Sequence, residues 1–378
     1  MSSTKSTWRR IVDVMLWTFT IICATGLIAG SFGGNIDPAS LKGICLMVMT
    51  LPGWILLMLL ATVLDLLWCR KALMLCLLTF IACASAIWEF SPLNLSRPSM
   101  ADYAKNPKFT FMTYNVANLY DLTEQYPGDV NPIISYILLT EPDVVNLQEC
   151  PLMSVYKPTR ITSKQIDSLH RAYPYIVMYG YSNALLSKYP AESIHLPGPN
   201  KPGNEIAAFR LNVEGTKITL FDVHLQSYSL SSQDKELFHE ITDLKDPEGA
   251  KSIKSSVREV KSQLLTKIQA AAVQRADDCR RLIRFIEHWG GPNVIVAGDF
   301  NDVPGCYTLR QLADYKFRQV YPELGFGPMI TFNRDRFYFR IDHILYRGDL
   351  TPLRISRGDI KWSDHYPLLA TFAITPSK

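Results

Sequence analysis

Charge is scarce in this sequence and neither sign dominates: 20% of the 378 residues are Asp, Glu, Lys or Arg, and the formal net charge is +4. Such a chain lacks the strongly basic field that a long polyanion would call for. With 48% of its residues hydrophobic it is not a disordered tail or a collagen-like repeat either. Cysteine thins out after residue 100, where only Cys150, Cys279 and Cys306 remain, none of them in CxxC or CxxH spacing. A disulfide framework and a structural zinc site are thereby excluded, and the three read as small buried apolar residues. Internal repeats and low-complexity tracts are also missing.

The shortage of charge is most pronounced at one end. Residues 1–100 hold 7 of the 39 basic and 4 of the 35 acidic side chains, which leaves the remainder within one charge of neutral. Three apolar stretches follow one another there, at about residues 11–30, 41–68 and 72–88. Each approaches or exceeds the ~20 residues that a helix needs to cross a bilayer. The sequence therefore predicts a membrane anchor over residues 1–90 with three transmembrane helices. Lys5, Arg9 and Arg10 before the first stretch and Arg70-Lys71 before the third mark the cytoplasmic side, so everything after residue 90 is expected outside the cytoplasm. Pro52-Gly53 marks a kink or a late start within the second stretch, and Asp13, Asp65 and Glu89, near stretch ends, read as interfacial. Residues 91–107, twice interrupted by proline, read as an extended tether.

From residue 108 to 376 the texture becomes that of one folded domain. Short strand-like runs recur at Phe109–Asn115, Val144–Gln148, Ala184–Ser187, Ile218–Leu225, Val294–Ala297, Arg340–Tyr346 and Leu368–Ile374. A helical period runs from Ser256 to His288, so the fold class is α/β. Chemistry-bearing residues stand at the ends of these runs: Asn115, Gln148-Glu149, His224, Asp299, Asn301, Asp342-His343 and Asp364-His365. Singly, each has an ordinary explanation as a turn residue or a satisfied histidine. Together they supply the carboxylates, amides and imidazoles that suit a hard divalent cation acting on a phosphate ester.

The ordered series Tyr114-Asn115, Gln148-Glu149, Ser187-Lys188-Tyr189-Pro190, His224-Leu225, Gly298-Asp299-Phe300-Asn301-Asp302, Ile341-Asp342-His343 and Ser363-Asp364-His365-Tyr366-Pro367 resembles the endonuclease/exonuclease/phosphatase superfamily. DNase I-like nucleases, inositol polyphosphate phosphatases and neutral sphingomyelinases are among its branches, and the likeness runs from about residue 108 to 375. The resemblance implies a four-layer α/β/β/α sandwich (DNase I-like) and a Mg2+-dependent phosphoesterase, with Mn2+ as a substitute. By the same resemblance Glu149, Asn115 and Asp364 are metal-side residues, and Asp299 aligns the attacking water. Asn301 then holds that water or a phosphoryl oxygen, His365 supported by Asp342 binds the phosphate, and His224 flanks it.

The expected reaction is hydrolysis of a phosphate ester, most readily a phosphodiester, by in-line attack of water. The substrate classes left open are nucleic acid, a phospholipid or sphingolipid head group, and a small phosphoester. A different class of function, a membrane-anchored binding protein that has lost turnover, also stays open. His343 reads as a strand residue, Asp302 as a turn cap, Lys188 as a surface cation, and the charged 233–261 stretch as a solvated loop running into a helix.

Overall fold

The computed structural model describes residues 2–120, 130–151, 161–198, 200–201, 203–228, 254–334 and 338–375. Most of the 233–261 stretch lies outside the described residues; its last part opens the long helix Lys254–Trp289.

The apolar third forms four helices, α1 (Ser2–Phe32), α2 (Ile44–Met49), α3 (Leu51–Leu67) and α4 (Leu73–Phe90). Two of the described helical segments, Thr7–Asn35 and Leu73–Phe90, are long and apolar enough to cross a membrane by length and composition, and Leu51–Leu67 is shorter. The stretch expected as one span at residues 41–68 is thus interrupted. Pro52 sits in the first turn of α3, where its missing N–H is no loss, and the chain restarts after Thr50. The Thr50 hydroxyl accepts a bond from Trp54 Nε1 and donates to Leu46 O, which fixes the break.

Two acidic residues read as interfacial turn inward instead. Asp65 is buried among the helices and accepts hydrogen bonds from Thr20 Oγ1 at 2.7 Å and Cys76 Sγ at 3.5 Å. Glu89 is buried against the domain that follows. An ionisable group in an apolar helix is costly without partners, and each of these has found some. Within the 91–107 segment, Asn94 Nδ2 bonds the carbonyls of Pro322 and Gly325, and Leu93 makes an antiparallel bridge to Phe326.

Beyond residue 107 two six-stranded sheets stack face to face. One has the order β11-β12-β1-β2-β4-β3, and the other β5-β6-β7-β8-β10-β9. Their strands are β1 (Lys108–Asn115), β2 (Val144–Gln148), β3 (Tyr175–Tyr179), β4 (Asn183–Ser187), β5 (Ala191–Ser193), β6 (Glu205–Val213), β7 (Thr216–His224), β8 (Val294–Asp299), β9 (Arg318–Gln319), β10 (Asp342–Arg347), β11 (Leu350–Arg357) and β12 (Leu368–Ile374). β1 and β2 pair in parallel, as do β7 and β8; the other pairings are antiparallel.

Alternation along the strands builds the layers. In β1, Phe109 and Phe111 join the core between the sheets, while Met112 and Tyr114 face outward with Ile133, Ile137 and Leu169 of the helices Pro132–Thr140 and Ser163–Ala172. In β8, Ile295 and Ala297 face the other sheet, and Val294 and Val296 pack with Leu282, Phe285 and Ile286 of the long helix. A strand buried on both faces must be apolar at nearly every position, which is why these runs read so plainly in the sequence. The result is an α/β fold of four layers, helices outside and sheets within. The ends of both parallel pairs, β1/β2 and β7/β8, point to the same rim.

Candidate active site

Asp299 ends β8 and is buried. In the ladder it lies opposite Asp342 of β10 on one side and His224 of β7 on the other, so three of the residues singled out from sequence are brought side by side by strand register. Gly298 before it has φ +139°, and a Cβ there would stand 2.1 Å from Val223 O, so the motif needs glycine where β8 passes β7. The first sheet contributes Asn115 from the end of β1 and Glu149 from just after β2. Glu149 and Asn301 both hold left-handed backbone, φ +50° and +51°, a conformation costing of order 1 kcal/mol or more that recurs where side chains are aimed into a site.

These groups converge on one oxygen. Asp299 Oδ2 accepts hydrogen bonds from Asn115 Nδ2 at 3.1 Å and Asn301 Nδ2 at 3.2 Å, with His365 Nε2 at 3.5 Å and His224 Nε2 at 3.7 Å. Its Oδ1 accepts from the Asn301 backbone N–H at 2.8 Å. Asn115 Nδ2 also donates to Glu149 Oε1 at 3.1 Å, Asn118 Nδ2 donates to Glu149 Oε2 at 3.1 Å, and His224 Nε2 lies 3.7 Å from Glu149 Oε1. The Glu149 side chain is 31% exposed, so this carboxylate is partly open to solvent.

His365 Nδ1 lies 2.9 Å from Asp342 Oδ2, and the Phe332 ring packs against the imidazole in a T-shaped contact. Thr331 Oγ1 accepts the backbone N–H groups of Ile341 and Asp342, holding the start of β10. Burial alone disfavours the imidazolium, but the charges of Asp342 and Asp299 outweigh it and raise the pKa of His365 to about 10. Burial also lifts the Asp299 carboxyl above its ordinary range; the two histidines oppose that rise and Asp342 adds to it. The imidazolium form of His365 is thereby favoured, beside the Asp299 carboxyl whose own pKa is raised by burial.

Asp364 is half-buried beside this cluster, its Oδ1 accepting from Ser363 Oγ at 3.4 Å, while the same hydroxyl bonds Asn115 O at 2.8 Å. Asp299, Asp342 and His365 offer ligand atoms within 4.8 Å of one another. Asp342 Oδ2 and His365 Nδ1 are engaged with each other, while the Glu149 carboxylate, partly exposed, accepts hydrogen bonds only from the Asn115 and Asn118 amides among the described residues and is the better placed to receive a cation. Carboxylate and amide oxygens suit a hard divalent ion.

Three other residues weighed from sequence have structural partners. His343 Nε2 bonds Asp302 O at 3.0 Å, and burial beside Arg340 lowers its pKa to about 3, so it stays neutral. Asp302 pairs with the buried Arg275 at 3.2 Å. Lys188 pairs with Asp143 and Glu141.

Sequence reading missed Asp222, Asn118, Thr331 and Phe332. Asp222 lies between the sheets, where its Oδ1 accepts from Gln148 Nε2 at 2.6 Å and Asn146 Nδ2 at 2.8 Å, and its Oδ2 from Asn183 Nδ2 at 2.8 Å. Burial pushes its pKa up to about 8 against those donors. An acid two residues before His224, directly after the apolar pair Leu220-Phe221, was the available signal.

The Endonuclease/Exonuclease/phosphatase family matches the sequence over residues 112–365. No curated protein matches the chain. Among solved structures it is similar to an endonuclease/exonuclease/phosphatase from Beutenbergia cavernae, at 16% identity and TM-score 0.47, covering 71% of this chain and 72% of that one. It is also similar to D. rerio TDP2 complexed with a single-strand DNA product, at 18% identity and TM-score 0.44, covering 70% and 98%. The human Nocturnin catalytic domain with bound sulfate shares 17% identity at TM-score 0.43, covering 71% and 94%. With about two thirds of its length matched, the chain belongs to the Endonuclease/Exonuclease/phosphatase family, whose members are phosphoesterase-type hydrolases.

Proposed function

We propose that this chain is a membrane-anchored, divalent-metal-dependent phosphodiesterase. The observation that carries the reading is the meeting of four side chains, Asn115, Asn301, His224 and His365, around Asp299 Oδ2. Glu149, with Asn115 and Asp364 beside it, would hold Mg2+ or Mn2+, which when bound neutralises charge on the phosphate oxygens. Asp299 orients a water in line with the leaving group and takes its proton as the new P–O bond forms and the ester P–O bond breaks. Asn301 holds the water or a phosphoryl oxygen. The His365 cation, kept in place by Asp342, and His224 on the other side stabilise the charge that builds on the non-bridging oxygens.

Membrane anchoring is supported by direction and charge. The 3-10 turn after α1 (Gly33–Asn35) and the end of α4 both lie against the hydrolytic domain, while Arg9-Arg10 and Arg70-Lys71 belong to the opposite helix ends. Leu56, Leu60, Val63, Leu67, Leu77 and Ile81 leave a broad apolar face outward, which lipid would cover. The basic ends favour a hydrolytic domain outside the cytoplasm. A site held against the bilayer favours phospholipid head groups over nucleic acid as the phosphodiester, in keeping with the near-neutral charge of the domain.

The test is release of p-nitrophenol from bis(p-nitrophenyl) phosphate by the full-length protein in detergent. Turnover with Mg2+ and none with EDTA is expected. A folded protein without turnover on this substrate, phospholipids, DNA or inositol phosphates would instead make it a binding protein.

A further inference from the structure

The apolar helices are packed directly onto the loop that follows Asp299 and Asn301. Backbone meets backbone at Gly34, where an added Cβ would stand 1.8 Å from Gly305 O. Val48 of α2 is buried with Val303 and Ile341, and Met49, Phe332 and Phe339 pack around them. The long helix closes the seam: Arg280 pairs with Asp37 at 2.9 Å, and Gln269 Oε1 accepts the Gly43 N–H at 2.9 Å.

One side chain organises this contact. Glu89, in the last turn of α4, is 7% exposed, and the partners of its carboxylate all belong to the hydrolytic domain. Oε1 accepts the backbone N–H of Gly305 at 3.0 Å and Gln319 Nε2 at 2.7 Å; Oε2 meets Arg310 Nη2 at 3.0 Å. The Glu89 carbonyl accepts from the buried Arg340, two residues before Asp342. Gly305 lies four residues after Asn301 in one loop. Both chain segments that deliver Asp299, Asn301 and Asp342 thus end on Glu89. Crossing a bilayer requires apolar length alone and gives no reason to bury a carboxylate at the end of the span.

We propose that Glu89 is a positioning residue for hydrolysis. It touches no reacting atom; its carboxylate sets the loop of Asn301 through Gly305, while its backbone carbonyl holds Arg340 ahead of β10, so the geometry around Asp299 depends on the docking of α4. This inference rests on the hydrolase reading above. A residue that only fastened two units together would change stability and leave turnover of the folded protein alone.

The experiment uses full-length protein in detergent with bis(p-nitrophenyl) phosphate and Mg2+. Glu89→Ala removes every carboxylate contact, Glu89→Asp draws the charge back by one methylene, and Glu89→Gln keeps the reach and one acceptor oxygen. Misplacing a catalytic group by a fraction of an ångström to an ångström lowers turnover, so kcat should fall on the order of 10- to 100-fold in Glu89→Ala, with KM within about twofold of wild type. Glu89→Asp should lose several-fold and carries the test if Glu89→Ala does not fold. Glu89→Gln should recover most of the loss. Wild-type kcat in folded Glu89→Ala or Glu89→Asp, or a Glu89→Gln no better than Glu89→Ala, overturns the role of Glu89. A folded wild-type protein inactive on this substrate and on phospholipids, DNA and inositol phosphates overturns the hydrolase reading itself, a separate outcome.

Discussion

Two buried aspartates, Asp222 and Asp299, lie on adjacent strands of one sheet and do opposite things. Amide donors surround Asp222 on every side the structure describes, and none of its hydrogen-bond partners carries charge. Asp299 has two amide side chains, but also two imidazoles, with a second carboxyl paired to one of them. Neutral donors satisfy a buried carboxyl and tie layers together; titratable partners leave it able to exchange a proton and to face a charged ligand. Asp222 joins β2, β4 and β7 across the sandwich interior, whereas Asp299 stands where the strands end.

The largest effect that would break this contrast is catalytic. Asp299→Asn should cut kcat roughly 10²- to 10⁴-fold while the unfolding transition keeps its shape, measured by p-nitrophenol release and by circular dichroism. A loss of similar size in Asp222→Asn would erase the distinction.

Next comes the pair behind His365. Asp342→Asn should cost about 10²-fold in kcat and draw the alkaline limit of activity downward, since one of the two charges holding the imidazolium is gone. The same linkage affects stability. With its folded pKa raised to about 10, His365 contributes stability that is fully present below its unfolded pKa and is lost as pH rises through about 10. Thermal melts of wild type and His365→Gln should therefore converge as pH climbs from about 6.5 to 10.

Smaller still is the structural counterpart. Asp222→Ala strands three amides and should lower the unfolding free energy by roughly 1–3 kcal/mol in denaturant titration, with the pH profile of kcat unmoved. Least of all is Lys188→Ala, whose partly exposed pairs with Glu141 and Asp143 are worth at most about 1 kcal/mol. Its kcat should match wild type, and a large loss would give Lys188 a place at the substrate.

The candidate site was legible because its residues sit in contiguous strings next to buried strands: GDFN closes the apolar run of β8, and SDHYP immediately precedes β12. Edge strands such as β3, whose residues are mostly half-buried, and the two-residue β9 lack that contrast and left no signal. The interruption at Thr50 was foreshadowed by Pro52, since proline announces a helix start. Burial of Asp65 and Glu89 was not foreshadowed, because their partners lie far away in sequence, up to 230 residues in the Glu89–Gln319 bond. The fit of Gly34 against Gly305 likewise depends on tertiary approach, which no local pattern encodes.

The most direct measurement is Mn2+ binding followed by electron paramagnetic resonance on the full-length wild type, Glu149→Ala and Asp222→Asn. Convergence of the strand ends into a cation-dependent hydrolytic centre predicts saturable binding by wild type and by Asp222→Asn, and its loss in Glu149→Ala. Undiminished binding by Glu149→Ala, or none by wild type, would contradict it.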